Sequence, residues 1–300
     1  MSEHKRLRHL VACVARTFHL WPFIARTGMY TRARRRKYPD TLVYLDVVIT
    51  ECCTLKCRNC SNLMQYYHKP ENLSPDEVIS GLKRLLTAFK VNRLNILGGE
   101  PFVCQKNLMR LLEFLRNEAK DRVNEIVIIT NGTVIPSDEC LRVIKDTPDL
   151  RILFSNYGSL SSKLEEFSAV CRREGIKCGV VEDEFWWDFG DLKRRDEKDR
   201  KTQHRYDACY SRKHCTTLFR GKLYECPRQA HAVRLGIIPE DPSENVDLLR
   251  PEFEDAGLLH DEIYRLIDRK EYISVCKHCG CDSEIKIPRA VQTEKPVDVI

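Results

Sequence analysis

Residues 43–60 read Val-Tyr-Leu-Asp-Val-Val-Ile-Thr-Glu-Cys-Cys-Thr-Leu-Lys-Cys-Arg-Asn-Cys. The first eight of these residues are mostly apolar and β-branched, which predicts a buried strand. Cys53, Cys57 and Cys60 follow that strand with the spacing C-x3-C-x2-C. Three thiolates leave a four-iron cluster one ligand short, whereas a structural metal site is normally closed. The stretch therefore predicts a cluster-binding loop in which one iron stays open to another ligand.

Strand and helix patterns alternate along the rest of residues 43–181. The first helix is marked by the capping box Ser74-Pro75-Asp76-Glu77, with proline at the first helical position. Regular alternation predicts a parallel sheet with right-handed crossovers. Five or six such units are too few for a closed eight-stranded barrel, so we expect an open, partial (β/α)6-type barrel. The predicted strands are residues 43–50, 94–97, 125–130, 151–155 and 176–181.

Three further motifs follow predicted strands at the same position as the cysteine loop. They are Gly98-Gly99-Glu100-Pro101, Thr130-Asn131-Gly132 and Ser155-Asn156-Tyr157-Gly158. Each of them alone is a common turn sequence. Because all of them lie at the carboxyl ends of parallel strands, where α/β sheets build their sites, their joint placement predicts one functional site.

These motifs together resemble the radical S-adenosylmethionine (SAM) superfamily. The resemblance implies that Cys53, Cys57 and Cys60 bind a [4Fe–4S] cluster whose fourth iron is chelated by SAM. It implies that one electron, from a donor such as flavodoxin or ferredoxin, cleaves SAM to a radical that abstracts a hydrogen atom from the substrate. It also implies which residues contact SAM: Gly98, Gly99 and Glu100 at its amino group, and Asn131 and Ser155 at its ribose or methionine part.

Two other interpretations of the first cysteine group are open. Cys52 would allow the spacing C-x4-C, but the superfamily spacing starts at Cys53. A zinc knuckle would need a fourth ligand close by, and His68 is the nearby candidate.

A second cysteine group lies in residues 207–300, which we expect to form a small C-terminal domain. Cys209, Gly221 and Cys226 fit C-x11-G-x4-C, and Cys276 and Cys279 follow as C-x2-C. This pattern resembles the auxiliary-cluster domain called twitch, a shortened SPASM domain. The resemblance implies that these four cysteines hold an auxiliary [4Fe–4S] cluster, although a closed four-cysteine site suits zinc equally. A hairpin over residues 216–225 and a helix near residues 257–269 are predicted to carry the ligands.

Two cysteines of the C-terminal region remain outside this ligand set. Cys215 or Cys281 would be able to replace a proposed ligand, or to donate a hydrogen atom to a substrate radical, as in radical epimerases. Cys13, Cys104, Cys140, Cys171 and Cys178 are interpreted as packing residues.

The first 40 residues are predicted to form a separate basic arm, ahead of a core domain over residues 41–206. Residues 1–39 carry ten Lys or Arg and one acid, a net charge of +9, so the remainder carries −3 of the chain's +6. The arm is expected to pack on the barrel or to contact an anionic membrane surface; no motif supports nucleic-acid binding.

The sequence also bears on cellular location and on the role of residues 182–206. Without an export signal or a long apolar stretch, we expect a reducing, cytoplasmic setting, with peripheral membrane contact through the arm as an option. Residues 182–206 are interpreted as a solvated connector, with a substrate lid carrying Trp186 and Trp187 as the alternative.

The resemblance thus implies a radical SAM oxidoreductase or epimerase. The expected reaction is dehydrogenation or epimerisation of a sugar- or aminocyclitol-type substrate. A peptide-modifying radical SAM enzyme is the alternative within the class. A non-catalytic iron–sulfur or zinc-binding protein is the alternative outside it.

Overall fold

The structure is a computed structural model that describes residue 33 and residues 36–182, 185–280, 285–294 and 296–298. Most of the basic arm, together with Cys13 and Cys281, therefore lies outside the described residues. The strands are β1 Thr41–Val48, β2 Lys90–Leu97, β3 Ile126–Thr130, β4 Leu150–Ser155, β5 Cys178–Val181, β6 Phe185–Trp187, β7 Thr217–Phe219, β8 Lys222–Tyr224, β9 Asn245–Asp247 and β10 Lys286–Pro288. The helices are α1 Pro75–Ala88, α2 Gln105–Asn117, α3 Asp138–Lys145, α4 Leu164–Glu174, α5 Asp199–Ala208, α6 Tyr210–His214, α7 Pro227–Arg234 and α8 Ala256–Ile267.

The main sheet has eight strands in the order β5-β4-β3-β2-β1-β7-β8-β9. Strands β1 to β5 are parallel, as predicted, and β5 and β9 form the two edges, so the barrel is open. The sixth parallel strand is β7, which pairs with β1 instead of following β5. Strands β6 and β10 pair with each other in a separate antiparallel ribbon.

The helix predicted from the capping box at Ser74 is α1. Ser74 caps α1 by accepting a hydrogen bond from Glu77 N, and Pro75 is the first residue of that helix. The apolar stripes of α1 and α2 are buried in the main core against the sheet. Leu160 lies in a short 3-10 turn ahead of α4, which starts at Leu164.

The predicted hairpin continues the main sheet. Its turn residues Arg220 and Gly221 both have positive φ, 49° and 69°, which is the geometry of a tight two-residue hairpin loop. The turn packs closely on α1, because a Cβ on Gly81 would lie 3.2 Å from Gly221 Cα. The sheet therefore joins residues from both sides of the domain boundary expected at residue 207.

Two further properties bear on the site. Within the described ranges, none of the thirteen cysteines is in a disulfide bond. Over the same ranges, no helix is sufficiently long and apolar to cross a bilayer.

Candidate active site

A cavity of about 500 Å³ opens at the carboxyl ends of β1 to β4. The chain reaches this edge four times, once after each strand, as the motifs predicted. Seven of the predicted site residues line the cavity: Cys53, Cys57, Cys60, Gly98, Gly99, Asn131 and Ser155. The structure therefore brings the cysteine loop and three other strand ends around one space.

The three cysteines of the first group share one wall of this cavity. Their loop closes through backbone hydrogen bonds from Cys60 N to Cys57 O (3.2 Å) and from Leu63 N to Cys60 O (3.0 Å). Burial raises the pKa of the Cys53 thiol to about 12 and that of Cys57 to about 11. A buried thiol in such surroundings becomes a thiolate when a metal binds it. This donor set fits the three-cysteine side of a [4Fe–4S] cluster.

Within the described ranges, no group of three His, Cys, Asp or Glu side chains is arranged to hold a metal ion. That finding concerns sites for a single ion, whereas an iron–sulfur cluster distributes its cysteine ligands over several irons.

Gly98 and Gly99 lie directly against the start of the cysteine loop. A Cβ on Gly98 would lie 2.2 Å from Thr50 O, and one on Gly99 would lie 2.0 Å from Cys52 O. Gly99 N donates to Thr50 O at 2.9 Å. The resemblance explains these glycines by close approach of SAM; the structure gives a second reason, because they let the end of β2 pack on the loop.

Glu100 differs in position from the other predicted site residues, because it is not among those that line the cavity. Its side chain is fully buried and accepts hydrogen bonds from Thr130 Oγ1 (2.9 Å), Asn131 N (2.8 Å) and Phe102 N (3.2 Å). Burial raises the pKa of its carboxyl group and these hydrogen bonds lower it. The effect of burial is larger, so the pKa is raised to about 7. Glu100 thus fixes the end of β3 behind the cavity wall.

Asn131 links the end of β3 to the cysteine loop. Its Nδ2 donates to Thr54 Oγ1 at 3.1 Å and lies 3.7 Å from Cys53 Sγ. Ser155 ends β4, and its carbonyl oxygen accepts a hydrogen bond from Ser161 Oγ at 3.2 Å. Both residues therefore present polar groups at the cavity edge, beside the cysteines.

Aromatic side chains form the wall opposite the strand ends. Trp186 and Trp187, from the separate β6–β10 ribbon, line the cavity. Tyr157 meets Trp186 edge to face, with ring centroids 5.6 Å apart. Sequence reasoning missed the remaining aromatic and amide lining; the tyrosine in Ser155-Asn156-Tyr157-Gly158 was the available signal. The missed residues are Asn59, Ser61, Asn62, Tyr157, Phe185, Phe189 and Tyr210.

The second cysteine group also comes together. Cys209 joins α5 to α6, Cys226 precedes α7, and Cys276 and Cys279 lie at a 3-10 turn. Burial raises the pKa of the Cys276 thiol most, and Cys226, Cys279 and Cys209 raise it further, so these three cysteines lie within electrostatic range of Cys276. Burial raises the pKa of Cys226 to about 12. These four thiols match in number the ligand set of a closed [4Fe–4S] cluster, whereas a site for a single zinc ion is not formed by them.

Cys215 lies beside this group and not in the cavity wall. Its pKa is raised well above the usual value by burial first, then by Asp46, Cys226 and Cys209. It is not among the described residues that line the cavity. The other proposed hydrogen donor, Cys281, lies outside the described residues.

A buried carboxylate joins the cysteine loop to the C-terminal region. Glu51, which precedes the loop, accepts hydrogen bonds from Arg220 of the hairpin turn and Arg234 of α7, each at 2.9 Å. The same two arginines reach Glu71 Oε2 at 2.7 and 3.0 Å. We call these four residues the Glu51 clamp. It ties the first cysteine loop to the element that carries Cys226.

Residues 47–156 match the model of the radical SAM superfamily. The chain carries a radical SAM domain. The cofactors of this superfamily are a [4Fe–4S] cluster and SAM, and the residues described above fit both. The matched segment begins within β1, includes the first three strand-end motifs and ends at Asn156, the second residue of the fourth.

Relatives of known name match part of this chain. The GTP 3′,8-cyclase of Nitrobacter hamburgensis is 37% identical over 101 residues, which cover 32% of this chain and 28% of the relative. That of Ectopseudomonas mendocina is 31% identical over 149 residues, or 49% of this chain and 42% of the relative. The chain thus spans less than half the length of these relatives.

Solved structures match the chain at low sequence identity and with TM-scores below 0.5. SuiB of Streptococcus suis bound to precursor peptide SuiA has a TM-score of 0.49 at 12% identity, covering 84% of this chain and 73% of SuiB. BtrN in complex with AdoMet and 2-DOIA has a TM-score of 0.44 at 13% identity, covering 86% of this chain and 98% of BtrN.

Proposed function

We propose that this radical SAM enzyme dehydrogenates a carbon bearing a hydroxyl group in a sugar- or aminocyclitol-type substrate. The observation that carries the proposal is the lining of the cavity beside Cys53, Cys57 and Cys60. Among the described residues that line it, apart from these thiols, the polar groups are neutral hydroxyls and amides, and no Asp, Glu, Lys, Arg or His is present. Aromatic faces beside neutral hydrogen-bonding groups suit the C–H faces of sugar rings and a substrate ammonium group.

The cofactors fit the strand ends described above. Cys53, Cys57 and Cys60 would hold the [4Fe–4S] cluster, and Gly98, Gly99, Asn131 and Ser155 would contact SAM. When bound, the cluster and SAM supply the radical that abstracts a hydrogen atom. The chain's own contribution is to fix these loops, through Glu100 and Asn131, and to surround the substrate with aromatic walls.

The lining disfavours the substrate of the named relatives, which are GTP 3′,8-cyclases. A triphosphate carries several negative charges and is normally held by arginine or lysine. Neither residue type is among the described residues that line the cavity. We therefore propose a substrate without phosphate groups for this chain.

The position of Cys215 disfavours this residue as the hydrogen donor of an epimerase. An epimerase needs a hydrogen donor facing the substrate, and Cys215 lies next to Cys209 and Cys226 instead. Cys209, Cys226, Cys276 and Cys279 would hold an auxiliary [4Fe–4S] cluster in a twitch-like region. That cluster would supply an acceptor for the second electron of the oxidation. A one-electron donor such as flavodoxin or ferredoxin would reduce the first site.

The test is turnover of anaerobically purified, iron-loaded protein with SAM and dithionite. A panel of sugars, aminocyclitols, GTP and peptides is screened for 5′-deoxyadenosine release and for products two mass units lighter. The Cys53/Cys57/Cys60→Ala variant is expected to release no 5′-deoxyadenosine, whereas Cys140→Ala, a buried core thiol elsewhere, retains it.

Three outcomes would contradict parts of the proposal. A colourless, zinc-loaded protein without 5′-deoxyadenosine release would exclude the enzyme assignment. Turnover of GTP or a peptide alone would exclude the substrate class. Deuterium incorporated at the substrate carbon from heavy water, without oxidation, would replace dehydrogenation by epimerisation.

A further inference from the structure

A C-terminal segment returns to the first cysteine loop and pairs with it. Arg58 N donates to Val291 O at 2.7 Å, and Thr293 N donates to Lys56 O at 2.8 Å. These bonds flank an antiparallel bridge between Cys57 and Gln292. We call residues 290–293 the C-terminal strap. It lies outside the segment that matches the superfamily, residues 47–156.

The strap covers the outer side of the loop with an apolar contact. Ala290 is only 1% exposed and packs in a small cluster with Leu55 and Cys57. Cys57 itself is 7% exposed. Cys57 therefore packs against Leu55 of its own loop and Ala290 of the strap.

Both the oxygen and the nitrogen of the Gln292 side-chain amide form hydrogen bonds. Its Oε1 accepts from Lys56 N at 2.8 Å, and its Nε2 donates to Cys57 Sγ at 3.2 Å and to Ala290 O at 2.7 Å. The two ends of the amide are not interchangeable, because exchanging them would set two N–H groups against each other at Lys56. The N–H of Gln292 is thus aimed at the sulfur by the backbone around it.

We propose that Gln292 is a positioning residue for the SAM-binding cluster, whose N–H holds the Cys57 sulfur and raises the reduction potential of that cluster. This inference rests on the proposed function, in which Cys57 is a cluster ligand. Hydrogen bonds to ligand sulfurs are among the determinants of cluster potential, since a donor stabilises the more negative, reduced state. The residue acts through Cys57 and not on the substrate.

Three substitutions separate this role from a purely structural one. Gln292→Met removes the donor and leaves a neutral side chain of similar length. Gln292→Glu keeps an acceptor for Lys56 N but places an acceptor against the sulfur. Gln292→Lys restores a donor and adds positive charge. Gln203→Met is the matched control, because Gln203 donates to Asp207 and to Lys270 O, away from the strap.

The readout is the midpoint potential of the EPR signal that changes when SAM is added, together with iron content. We expect the potential to be highest in Gln292→Lys, lower in the unmodified protein, lower again in Gln292→Met and lowest in Gln292→Glu. The Gln203→Met control is expected to equal the unmodified protein.

Two results would overturn the inference. The first is a midpoint potential that is the same in all variants, or that shifts in the same direction from the unmodified protein in all three Gln292 variants. The second is equal loss of iron from all three, since that result indicates a structural role only. Absence of any SAM-responsive signal from the unmodified protein would instead contradict the proposed function.

Discussion

Arg234 Nε lies 2.9 Å from the Oε1 atom of Glu51, whose side chain is fully buried immediately before the first cysteine loop. The pair joins α7, which follows Cys226, to the loop that carries Cys53. A charge buried this deeply stays in place only when it is paired, so the arginine is needed to hold the loop.

Replacing Arg234 with Ala is expected to destabilise the fold. Glu51 would keep Arg220 as its partner but lose a charged hydrogen bond, which costs about 1.5–3 kcal/mol. The exposed pair Arg173–Glu174 provides the control, because Arg173→Ala is expected to cost less than about 0.5 kcal/mol. Anaerobic thermal unfolding of both variants checks this. Equal unfolding midpoints would show that the clamp does not stabilise the fold.

Gly99→Ala is expected to disrupt the cysteine loop. Its Cβ would meet Cys52 O at 2.0 Å, a backbone atom that has no freedom to move aside without shifting the loop. Overpacking of this kind costs roughly 1–3 kcal/mol, and we expect iron content to fall with it. Gly179→Ala is the control, since its Cβ would make only ordinary contact at 3.8 Å. Full iron loading of Gly99→Ala would refute the packing explanation.

Cys226→Ala is expected to remove one metal site and leave the other. If Cys209, Cys226, Cys276 and Cys279 hold a second cluster, the variant loses about half of the iron. It should still release 5′-deoxyadenosine from SAM while losing the oxidised product. Cys171→Ala removes a buried thiol from the main core and is expected to keep both activities. Unchanged iron in Cys226→Ala would argue against the second cluster.

Trp186→Ala is expected to weaken substrate binding. Its ring lines the cavity against Tyr157, and the loss of one aromatic wall costs about 1–2 kcal/mol, or roughly tenfold in KM. Tyr264 is a large exposed aromatic on α8 and is not among the described cavity-lining residues, so Tyr264→Ala serves as the control. Steady-state kinetics with the substrate found by screening measures both. An unchanged KM would remove Trp186 from the binding site.

The buried His231 is expected to make the free energy of unfolding decrease in acid. Its ring is fully buried, its Nδ1 lies 2.8 Å from Tyr67 OH, and burial lowers its pKa from 6.5 to about 3. The unfolded chain therefore binds a proton that the folded chain does not, below pH 6.5. The contribution of neutral His231 to the free energy of unfolding is fully present above pH 6.5. Below that pH it falls by about 1.4 kcal/mol per pH unit, until the pKa of the folded state is reached.

The measurement compares unfolding midpoints at pH 5.5 and 7.5 for unmodified protein and for His231→Phe. The variant should show a shallower decrease in acid. The same substitution at His68, which is exposed, is expected to leave the decrease unchanged. An identical acid slope in His231→Phe would exclude this residue as its source.

Local signals in the sequence predicted most of the sheet and the first cysteine site. Ser74 and Pro75 marked the start of α1 because a helix cap depends only on neighbouring residues. Cys53, Cys57 and Cys60 were recognisable because their spacing lies within one loop. The position of β7 beside β1 was not predictable in this way, since strand order depends on packing across the whole chain.

The contacts that hold the site together lack such signals. Glu51 and Arg234 are 183 residues apart, and Cys57 and Gln292 are 235 apart. Nothing in the local pattern around Gln292 distinguishes it from a surface amide. The charge-free lining of the cavity was likewise hidden, because Asn59, Tyr157 and Phe189 come from three separate loops.

The pairing of β7 with β1 has a consequence for how the molecule assembles. Because β1 lies between β2 and β7, it is an inner strand only after the hairpin has been synthesised and added. Until then, one side of β1 presents unpaired backbone groups next to the loop that receives the cluster, and such an edge invites aggregation. Completion of the hairpin therefore protects β1, and a ribosome-bound chain that ends near residue 206 still exposes the edge.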